Sequence, residues 1–317
     1  MKLAVGIDIG ATITKIGLVS EDGKCINKTS FRTKEINNFS DYIQELHNSI
    51  KSICDGLNSI CGIGIGAPNA SKNGTIETPA NLKWEGKLNL VKELKNKINT
   101  EIHLSNDANC AAVGEMMYGN AKDYKDFIVI TLGTGLGSGI VSNGKLIEGS
   151  DGFAAELGHY SINNMGRLTG LGVQGGLEAY VSATGIKRTI MYMLSRYMND
   201  SVFRGISFND LHGEDITKAA ENNDFIAIKT YEYTGKIFGE ALANFVSFTQ
   251  PEAIILTGGL VHSGKWILEP TKKSFEENLL PFYRGKVKLL TSGLELSLIH
   301  ISEPTRRTPI SYAVFCL

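Results

Sequence analysis

The sequence predicts an α/β protein that contains two related lobes. Predicted strands and helices alternate along most of the chain, and one glycine-rich strand–turn–strand pattern occurs twice, about 120 residues apart. The chain has 317 residues, of which 42% are hydrophobic. This is long enough for one large domain or two ordinary ones, each with its own core.

The first copy of the pattern is LAVGIDIGATITKIGLVSEDGKCINKTSF, in which tight turns at DIGAT and Asp22-Gly23 separate three predicted strands. The second is FIVITLGTGLGSGIVSNGK, which ends in an Asn143-Gly144 hairpin signal. Because its glycine run leads into a hairpin and not into a helix, the run predicts neither a P-loop nor a dinucleotide-binding turn. The two copies align Gly10 with Gly133, Gly17 with Gly139, and Gly23-Lys24 with Gly144-Lys145.

The remaining elements follow from periodicity, capping residues and turn residues. They are an amphipathic helix from Phe39 to Leu57, a strand at 61–69, a helix from Leu88 to Ile98, a strand from Glu101 to Ser105, a helix capped by Asn106-Asp107 and running to Met117, a long helix over 225–245 and a strand at 253–256. We expect an N-terminal lobe over residues 1–117 and a C-terminal lobe over residues 118–295.

Charge and cysteine content exclude several classes of protein. The formal net charge is −1, so neither a nucleic acid nor a membrane surface is an expected partner. The five cysteines form no CxxC pair and no disulfide framework, and no segment reads as a signal peptide or a membrane span. These features predict a cytoplasmic protein.

Residues 296–317, LSLIHISEPTRRTPISYAVFCL, resemble the in-frame translation of a sequencing adapter. Two adapter-like pieces, LSLIHISEPTR and ISYAVFCL, flank a gap of the length of an index. We therefore expect a non-native tail that packs poorly or lies extended, in place of the native end of the protein.

Three glycine turns at the ends of predicted strands are candidate phosphate sites. Backbone amides in such turns can hold phosphate oxygens, and threonine hydroxyls add donors. Asp8 would repel a phosphate, so its position implies a Mg²⁺ ion bound directly or through water. The turns are Asp8-Ile9-Gly10-Ala11-Thr12, Gly133-Thr134-Gly135 and Gly258-Gly259.

The motifs DIGATITK, ITLGTGLGSGIV and ILTGGLV resemble the two phosphate motifs and the adenosine motif of actin-like sugar kinases. GIGAPN, PANLKW, NDANCAAVGE and AAELGH are similar to motifs of the ROK family (repressor, open reading frame, kinase), most closely to those of its glucokinases. The resemblance extends from Leu3 to Gly293. It implies an actin-like (ribonuclease H-like) ATPase fold with a cleft between two lobes, and transfer of phosphate from ATP, with Mg²⁺, to the 6-hydroxyl of a hexose, glucose above all.

The resemblance also implies roles for individual residues. Asp107 would be the general base, although an Asn106-Asp107 pair is also an ordinary helix N-cap. The residues implied to bind the sugar are Asn81, Asn106, Glu156, His159 and Glu178. Those implied to bind the nucleotide are Asp8, Gly10, Thr12, Lys15, Gly133, Thr134, Gly135, Gly258 and Gly259. Lys15 matches the first motif, and a solvated strand lysine is the alternative interpretation.

One segment departs from the family pattern. Family members carry a zinc segment of the form GRxCxCGxxGCxExxxS, whereas this chain has GRLTGLGVQGGLEAYVS at 166–182, with Thr169, Leu171 and Gly176 in place of the cysteines. We therefore expect no structural zinc. Leu168, Leu171 and Val173 are expected to pack in place of the metal–sulfur bonds, and His159 to be free either to bind the sugar or to accept a backbone hydrogen bond. Asn69 likewise stands where the family commonly has glycine.

Two alternatives stay open. The substrate can be another hexose, such as N-acetylmannosamine or fructose, or the phosphate donor can be polyphosphate, because these differ by only a few polar contacts. The other alternative is a sugar-sensing ROK transcriptional regulator, but the seven residues before Asp8 leave no room for a DNA-binding helix-turn-helix. A homodimer is expected from the family resemblance alone.

Overall fold

The computed structural model describes residues 2–54, 56, 60–78, 82–294, 300–301 and 315–316. Residue contacts divide the chain into two units. The first comprises Met1–Tyr124, Gly139–Ala155 and Ser292–Leu317, and the second comprises Lys125–Ser138 and Glu156–Thr291.

The first sheet combines three strands that precede helix α1 (Phe39–Ile53) in the sequence with two strands that follow it. In chain order the elements up to residue 117 are β1 (Leu3–Ile9), β2 (Thr14–Ser20), β3 (Cys25–Phe31), α1 (Phe39–Ile53), β4 (Ile60–Ala67), β5 (Ala70–Ser71), β6 (Thr75–Glu77), β7 (Lys87–Leu88), α2 (Leu90–Lys95), β8 (Ile102–Asn106) and α3 (Asp107–Met117). The sheet has the order β3-β2-β1-β4-β8, and β5, β6 and β7 form a separate small sheet. Its core consists of the apolar face of α1, with Tyr42, Leu46 and Ile50, and the buried residues of β1 and β4.

The second sheet repeats the strand order of the first. The later elements are β9 (Phe127–Leu132), β10 (Leu136–Ser142), β11 (Lys145–Leu146), α4 (Ala183–Arg196), α5 (Gly213–Glu221), α6 (Phe225–Thr249), β12 (Ala253–Thr257), α7 (Lys265–Asn278) and β13 (Lys288–Thr291). The sheet order is β11-β10-β9-β12-β13, so each sheet begins with its own third, second and first strands. The predicted duplication of the glycine-rich pattern is therefore confirmed at the level of topology.

Glycines allow two of the close contacts between elements. A Cβ on Gly139 would lie 2.7 Å from Cβ of Ala112 and 2.8 Å from the carbonyl oxygen of Ala108, so this glycine lets the chain lie directly against α3. A Cβ on Gly239 in α6 would lie 2.4 Å from the carbonyl oxygen of Thr271 in α7. Larger side chains at either position would force the backbones apart.

Most of the predicted elements are present, with different ends. Helix α1 ends at Ile53, because Cys54 already has extended backbone angles. Helix α2, Leu90–Lys95, is shorter than predicted at both ends. Helix α3 begins at Asp107 with Asn106 as its N-cap, as the sequence predicts. In the described part of the chain, no helix is both long and apolar enough to cross a membrane.

The predicted tail at 296–317 lies outside the described residues, apart from two short strands. These are β14 (His300–Ile301) and β15 (Phe315–Cys316), which pair antiparallel.

Candidate active site

The carboxyl ends of three parallel strands meet at one edge of the first sheet. Strand β1 pairs with β4 in a register that sets Asp8 beside Gly66, and β4 pairs with β8 so that Ala67 lies beside Asn106. Asp8 and the Asn106-Asp107 pair therefore lie at the same edge. In open α/β sheets, this is the edge at which ligands bind.

Asp107 is the first residue of α3 and is held there by its cap. The Asn106 side-chain oxygen and Oδ1 of Asp107 each accept a hydrogen bond from the Ala108 amide, both at 2.8 Å. A Cβ on Gly66 would lie 3.2 Å from Sγ of Cys110 and 3.7 Å from Cα of Asp107, so strand β4 approaches the start of α3 closely. The Asp107 side chain is nevertheless exposed to solvent.

Both carboxyl groups have a raised pKa. Burial raises the pKa of Asp8 from an ordinary 3.8 to about 6; the negative charge of Asp107 adds to this shift, and the positive charge of Lys15 opposes it. Desolvation by the surrounding protein also raises the pKa of Asp107, against the hydrogen bond from Ala108. The Asp107 side chain is exposed, but the many protein atoms around it reduce the hydration of its charge, which favours the neutral form.

The first glycine turn, which links β1 to β2, is closed by a hydrogen bond from the Gly10 amide to the Ile13 carbonyl at 3.2 Å. A Cβ on Gly10 would lie 2.8 Å from that carbonyl oxygen, so the turn requires glycine. Within the described residues, the amides of Ala11 and Thr12 have no protein partner. Such amides are the groups that a phosphate oxygen would need.

Two residues that follow this turn set its position. The Thr14 hydroxyl is buried and hydrogen-bonds to Oγ1 of Thr33 at 2.8 Å and to the Tyr42 hydroxyl at 3.0 Å, which anchors the turn to the core. Lys15 is exposed and pairs across the strands with Asp8. Its charge therefore acts on the Asp8 carboxylate at short range.

The second glycine turn, which links β9 to β10, is one residue tighter, with a hydrogen bond from the Gly133 amide to the Gly135 carbonyl at 3.0 Å. The start of α4 holds it from outside: the Ala183 amide donates to the Gly133 carbonyl at 2.9 Å, and the Thr184 hydroxyl donates to the Thr134 carbonyl at 3.4 Å. Among the described residues, the amides of Thr134 and Gly135 have no protein acceptor. Both glycine turns thus present backbone amides.

Glu178 closes the second turn from its other side. Its Oε2 accepts a hydrogen bond from the Leu136 amide at 3.1 Å, and its Oε1 accepts one from the Gly170 amide at 3.3 Å. A Cβ on Gly135 would lie only 2.3 Å from Oε2, so glycine at 135 makes room for this carboxylate. Glu178 therefore joins the turn to the segment 166–182.

The third glycine turn lies beside the second. Strands β9 and β12 are parallel, and Thr131 pairs with Thr257, so the turns that follow them leave the same edge of the second sheet. Gly258 has φ +96°, and its Cβ would lie 2.5 Å from the carbonyl oxygen of Leu132. Gly259 is exposed, with no atom within 4 Å of the place of its Cβ.

Glu156 and His159 form a second polar pair. Nε2 of His159 lies 4.0 Å from Oε2 of Glu156, and the side chain of the histidine is only 18% exposed. Ala155 just before them has φ +67°, a left-handed conformation that a residue other than glycine or asparagine rarely adopts. Such strain is typical of functional sites. Asn69, where the family commonly has glycine, has φ +51°, which asparagine tolerates.

The segment 166–182 is held by polar contacts. The prediction that Leu168, Leu171 and Val173 pack in place of metal–sulfur bonds is wrong, because these side chains are 55%, 51% and 37% exposed. Instead, the Thr169 hydroxyl accepts a hydrogen bond from the Val173 amide at 3.1 Å and contacts Nδ1 of His159 at 3.2 Å. Gly172 and Gly175 turn the chain tightly, with φ +82° and +74°.

An arginine fixes the start of this segment. Arg167 donates from one guanidinium nitrogen to the hydroxyl of Thr189 at 2.9 Å and to the carbonyl of Gly185 at 3.3 Å, both in α4. Its guanidinium lies 4.7 Å from the centre of the Tyr180 ring. Arg188 in turn donates to the Leu168 carbonyl at 2.6 Å.

Comparison with known proteins identifies the family. The chain matches the ROK family over residues 4–295.

The chain belongs to the ROK family.

It is 30% identical over 293 residues to the glucokinase of Thermotoga maritima, with 92% of each chain covered. A ROK family glucokinase from Streptomyces griseus, crystallised with glucose and AMPPNP, is 30% identical, with a TM-score of 0.77 and coverage of 92% of this chain and 95% of that one. The xylose repressor of Caldicellulosiruptor bescii is 26% identical over 294 residues, with 90% of this chain and 73% of the repressor covered. These matches confirm the predicted actin-like fold class.

The predicted site residues fall into both units of this ROK chain. Asp8, Gly10, Thr12, Lys15, Asn106 and Asp107 belong to the first unit, and Gly133, Thr134, Gly135, Glu156, His159, Glu178, Gly258 and Gly259 belong to the second. Asn81 lies outside the described residues. Sequence reasoning treated Thr169 only as a lost cysteine, and the spacing of ten residues between it and His159 does not signal their hydrogen bond.

The raised pKa of Asp8 leads to a prediction about stability. A carboxyl group whose pKa is higher in the folded state destabilises the fold once it is ionised, so the wild-type chain loses free energy of unfolding as the pH rises from about 4 to 6. Asp8→Asn should remove this loss and stabilise the fold by about 3 kcal/mol at pH 7.5, with no gain at pH 3.5. Urea unfolding across this pH range measures it.

The control for this prediction is Asp22→Asn. Asp22 is an exposed carboxylate whose pKa is lowered to about 2 by hydrogen bonds from Ser20 and Lys24. That variant should show no gain in stability at neutral pH. Equal gains in both variants, or none in Asp8→Asn, would contradict the electrostatic explanation.

The contact between Gly135 and Glu178 leads to a second prediction. Gly135→Ala places a methyl group against Oε2 of Glu178, so the Leu136 amide loses its acceptor, and the free energy of unfolding should fall by about 1–3 kcal/mol. Gly133→Ala meets no atom within 4 Å and should leave stability unchanged.

If a phosphate approaches this backbone, Gly133→Ala should still raise KM for the nucleotide. Calorimetry and nucleotide titration separate the two effects.

Proposed function

We propose that this ROK family chain is an ATP-dependent hexose kinase that transfers phosphate to the 6-hydroxyl of glucose. The observation that carries the proposal is the pair of carboxylates, Asp8 and Asp107, at one edge of the first sheet, where each has a raised pKa. The similarity to glucokinases along 92% of the chain supports the choice of reaction and substrate. A homodimer is part of the proposal and rests on the family resemblance, and a cytoplasmic location is part of it because the scattered cysteines suit a reducing compartment.

Asp107 is proposed as the general base. Its side chain is exposed, so a sugar hydroxyl can reach it, and its position is set by the Asn106 cap at the start of α3. Desolvation raises its pKa, which makes the carboxylate a stronger base at neutral pH. In the proposed step, the 6-hydroxyl gives its proton to Asp107 while its oxygen attacks the γ-phosphorus, and ADP leaves with the electrons of the broken P–O bond.

Asp8 is the residue proposed to hold Mg²⁺, directly or through water. The fit is electrostatic: a carboxylate whose ionised form is disfavoured by burial and by a second carboxylate gains from a nearby cation. A single protein carboxylate is sufficient, because Mg²⁺ usually keeps several waters and binds the nucleotide phosphates as well. When bound, the ion supplies positive charge that offsets the charge on those phosphates.

The nucleotide phosphates are proposed to bind to the backbone amides at Ala11-Thr12 and Thr134-Gly135, with the Thr12 side chain, Lys15 and the Gly258-Gly259 turn as further contacts. Support comes from the absence of protein acceptors for these four amides among the described residues. The requirement for glycine at Gly10 and Gly258 fixes the paths of two of the turns.

The sugar is proposed to bind Asn81, Asn106, Glu156, His159 and Glu178. A donor and an acceptor 4.0 Å apart, as in His159 and Glu156, suit a hydroxyl group, which can accept from one and donate to the other. Glu178 already accepts two backbone hydrogen bonds. An ionised carboxylate has about four acceptor sites, so it can still accept one from the sugar.

The test is an assay of the purified full chain with a panel of donors and acceptors. ATP and polyphosphate should be compared as donors, and glucose, fructose, N-acetylmannosamine and xylose as acceptors. We expect turnover with ATP and glucose, and the highest kcat/KM for glucose. Sugar binding without turnover, together with binding to DNA, would instead support a regulator like the xylose repressors, and preference for another acceptor would overturn the choice of glucose.

The base role of Asp107 leads to a prediction. Asp107→Asn keeps the size of the side chain and leaves the N-cap of α3, Asn106, in place, so the fold should be kept. Because asparagine cannot accept the proton, kcat should fall by a factor of about 10²–10⁴ while glucose binding stays measurable. Turnover assays and calorimetric glucose titration measure the two quantities.

The matched control is Asp215→Asn, which removes an exposed carboxylate from the first turn of α5. This variant should keep wild-type turnover. A kcat of Asp107→Asn within a few-fold of wild type would remove Asp107 from the base role.

A further inference from the structure

We propose that the hydroxyl group of Thr169 takes the place of the zinc ion of the ROK cysteine segment, by donating a hydrogen bond to Nδ1 of His159. Thr169 is thereby a positioning residue: it fixes the orientation and the tautomer of the imidazole, so that Nε2 carries the proton and acts as a donor beside Glu156. The inference rests on the proposed function only where it names a sugar hydroxyl as the acceptor for Nε2–H.

The residues present do not fit a zinc ion. A structural zinc site needs four soft or borderline ligands, and the three positions expected to supply thiolates are Thr169, Leu171 and Gly176. His159 is the one zinc-ligand type in this group. Among the residues that the structure describes, no set of three or more His, Cys, Asp and Glu side chains is placed to hold a metal ion.

The hydrogen bonds around Thr169 determine the direction of its bond to His159. The Val173 amide can only donate, so Oγ1 of Thr169 accepts at 3.1 Å. The hydroxyl hydrogen then needs an acceptor, and within the described residues the one other side-chain partner of this hydroxyl is Nδ1 of His159 at 3.2 Å. A neutral imidazole accepts at one nitrogen and donates from the other. With Nδ1 as acceptor, Nε2 carries the hydrogen.

The Thr169 hydroxyl is well held for this role. The side chain is 6% exposed, so few waters can compete for its hydrogen bonds. Its main chain forms a tight turn, with the Thr169 amide donating to the Val173 carbonyl at 2.9 Å and the Gly172 amide donating to the Thr169 carbonyl at 3.0 Å. Arg188 fixes the preceding residue through the Leu168 carbonyl.

The tautomer of His159 determines how its other ring nitrogen, Nε2, can act beside Glu156. Nε2 is 4.0 Å from Oε2 of Glu156, too far for a direct hydrogen bond. A hydroxyl group placed between them can accept from Nε2–H and donate to the carboxylate. In the opposite tautomer, Nε2 and Glu156 would both be acceptors, and one hydroxyl could satisfy only one of them.

The test compares Thr169→Val, which has the same shape without the hydroxyl, with Thr169→Ser, which keeps it. The control is Thr189→Val, which removes the hydroxyl that accepts from Arg167 in the same segment but has no bond to His159. The first readout is the ring-nitrogen NMR signals of His159 in the full chain without sugar. We expect the Nε2–H tautomer in wild type, Thr169→Ser and Thr189→Val, and a mixture in Thr169→Val.

The second readout is kinetic. Loss of one hydrogen bond to the positioned ring should raise KM for glucose about tenfold in Thr169→Val, with a much smaller effect on kcat. Thr169→Ser should stay within about twofold of wild type, because it keeps the donor. Metal analysis of chelator-washed wild-type protein should find zinc well below one per chain.

Several results would overturn the inference. They are an Nδ1–H tautomer in the wild-type chain, an unchanged tautomer in Thr169→Val, or stoichiometric zinc bound through His159. The wild-type spectrum decides the matter even if Thr169→Val does not fold. If the chain lacks turnover, the proposed function fails, but the tautomer measurement still tests the Thr169–His159 bond.

Discussion

The arrangement of the first unit depends on the parallel pairing of β1, β4 and β8, which brings Asp8 and Asp107 to one edge of a sheet. Parallel pairing forces this outcome, because strands that run in the same direction end at the same edge. Both carboxyl groups are then desolvated, and the charge of Asp107 raises the pKa of Asp8 further. The ionised forms of these two carboxyl groups therefore lower the free energy of unfolding. Such an arrangement is typical of sites that bind a cation or accept a proton.

The duplicated pattern gives two glycine turns, β1–β2 and β9–β10, and different contacts hold each of them in place. In the first, the buried hydroxyl of Thr14 ties the start of β2 to Thr33 and Tyr42 in the core. In the second, the start of α4 and the carboxylate of Glu178 hold the turn from outside the sheet. A glycine turn has little stability of its own, since glycine loses the most conformational entropy on folding. Each copy therefore needs anchors from elsewhere in its unit, and the anchors differ because the surrounding elements differ.

Sequence patterns predicted the parts of the fold that depend on local chemistry. Asp22-Gly23 and Asn143-Gly144 turns, the Asn106 cap and the amphipathic face of α1 are each set by residues close together in the chain. The packing of Leu168, Leu171 and Val173 was predicted wrongly, because exposure depends on which element lies opposite, and periodicity holds no information about that. The bond between Thr169 and His159 was missed for a related reason. Two polar residues ten apart meet only if the intervening loop folds back, as it does here.

If segment 166–182 binds no zinc, as we propose, weaker contacts must stabilise it. A structural zinc ion contributes about 10–16 kcal/mol of apparent binding free energy in small domains, whereas a hydrogen bond contributes about 0.5–1.5 kcal/mol. Hydrogen bonds of Arg167 with α4, of Arg188 with Leu168 and of Thr169 with His159 are among those that hold the segment. Segment 166–182 contacts helix α4 through Arg167, which donates to Gly185 and Thr189, and through Arg188 of the helix, which donates to the Leu168 carbonyl. Helix α4 therefore contacts both this segment, through Thr189 and Arg188, and the Gly133-Thr134-Gly135 turn, through Ala183 and Thr184.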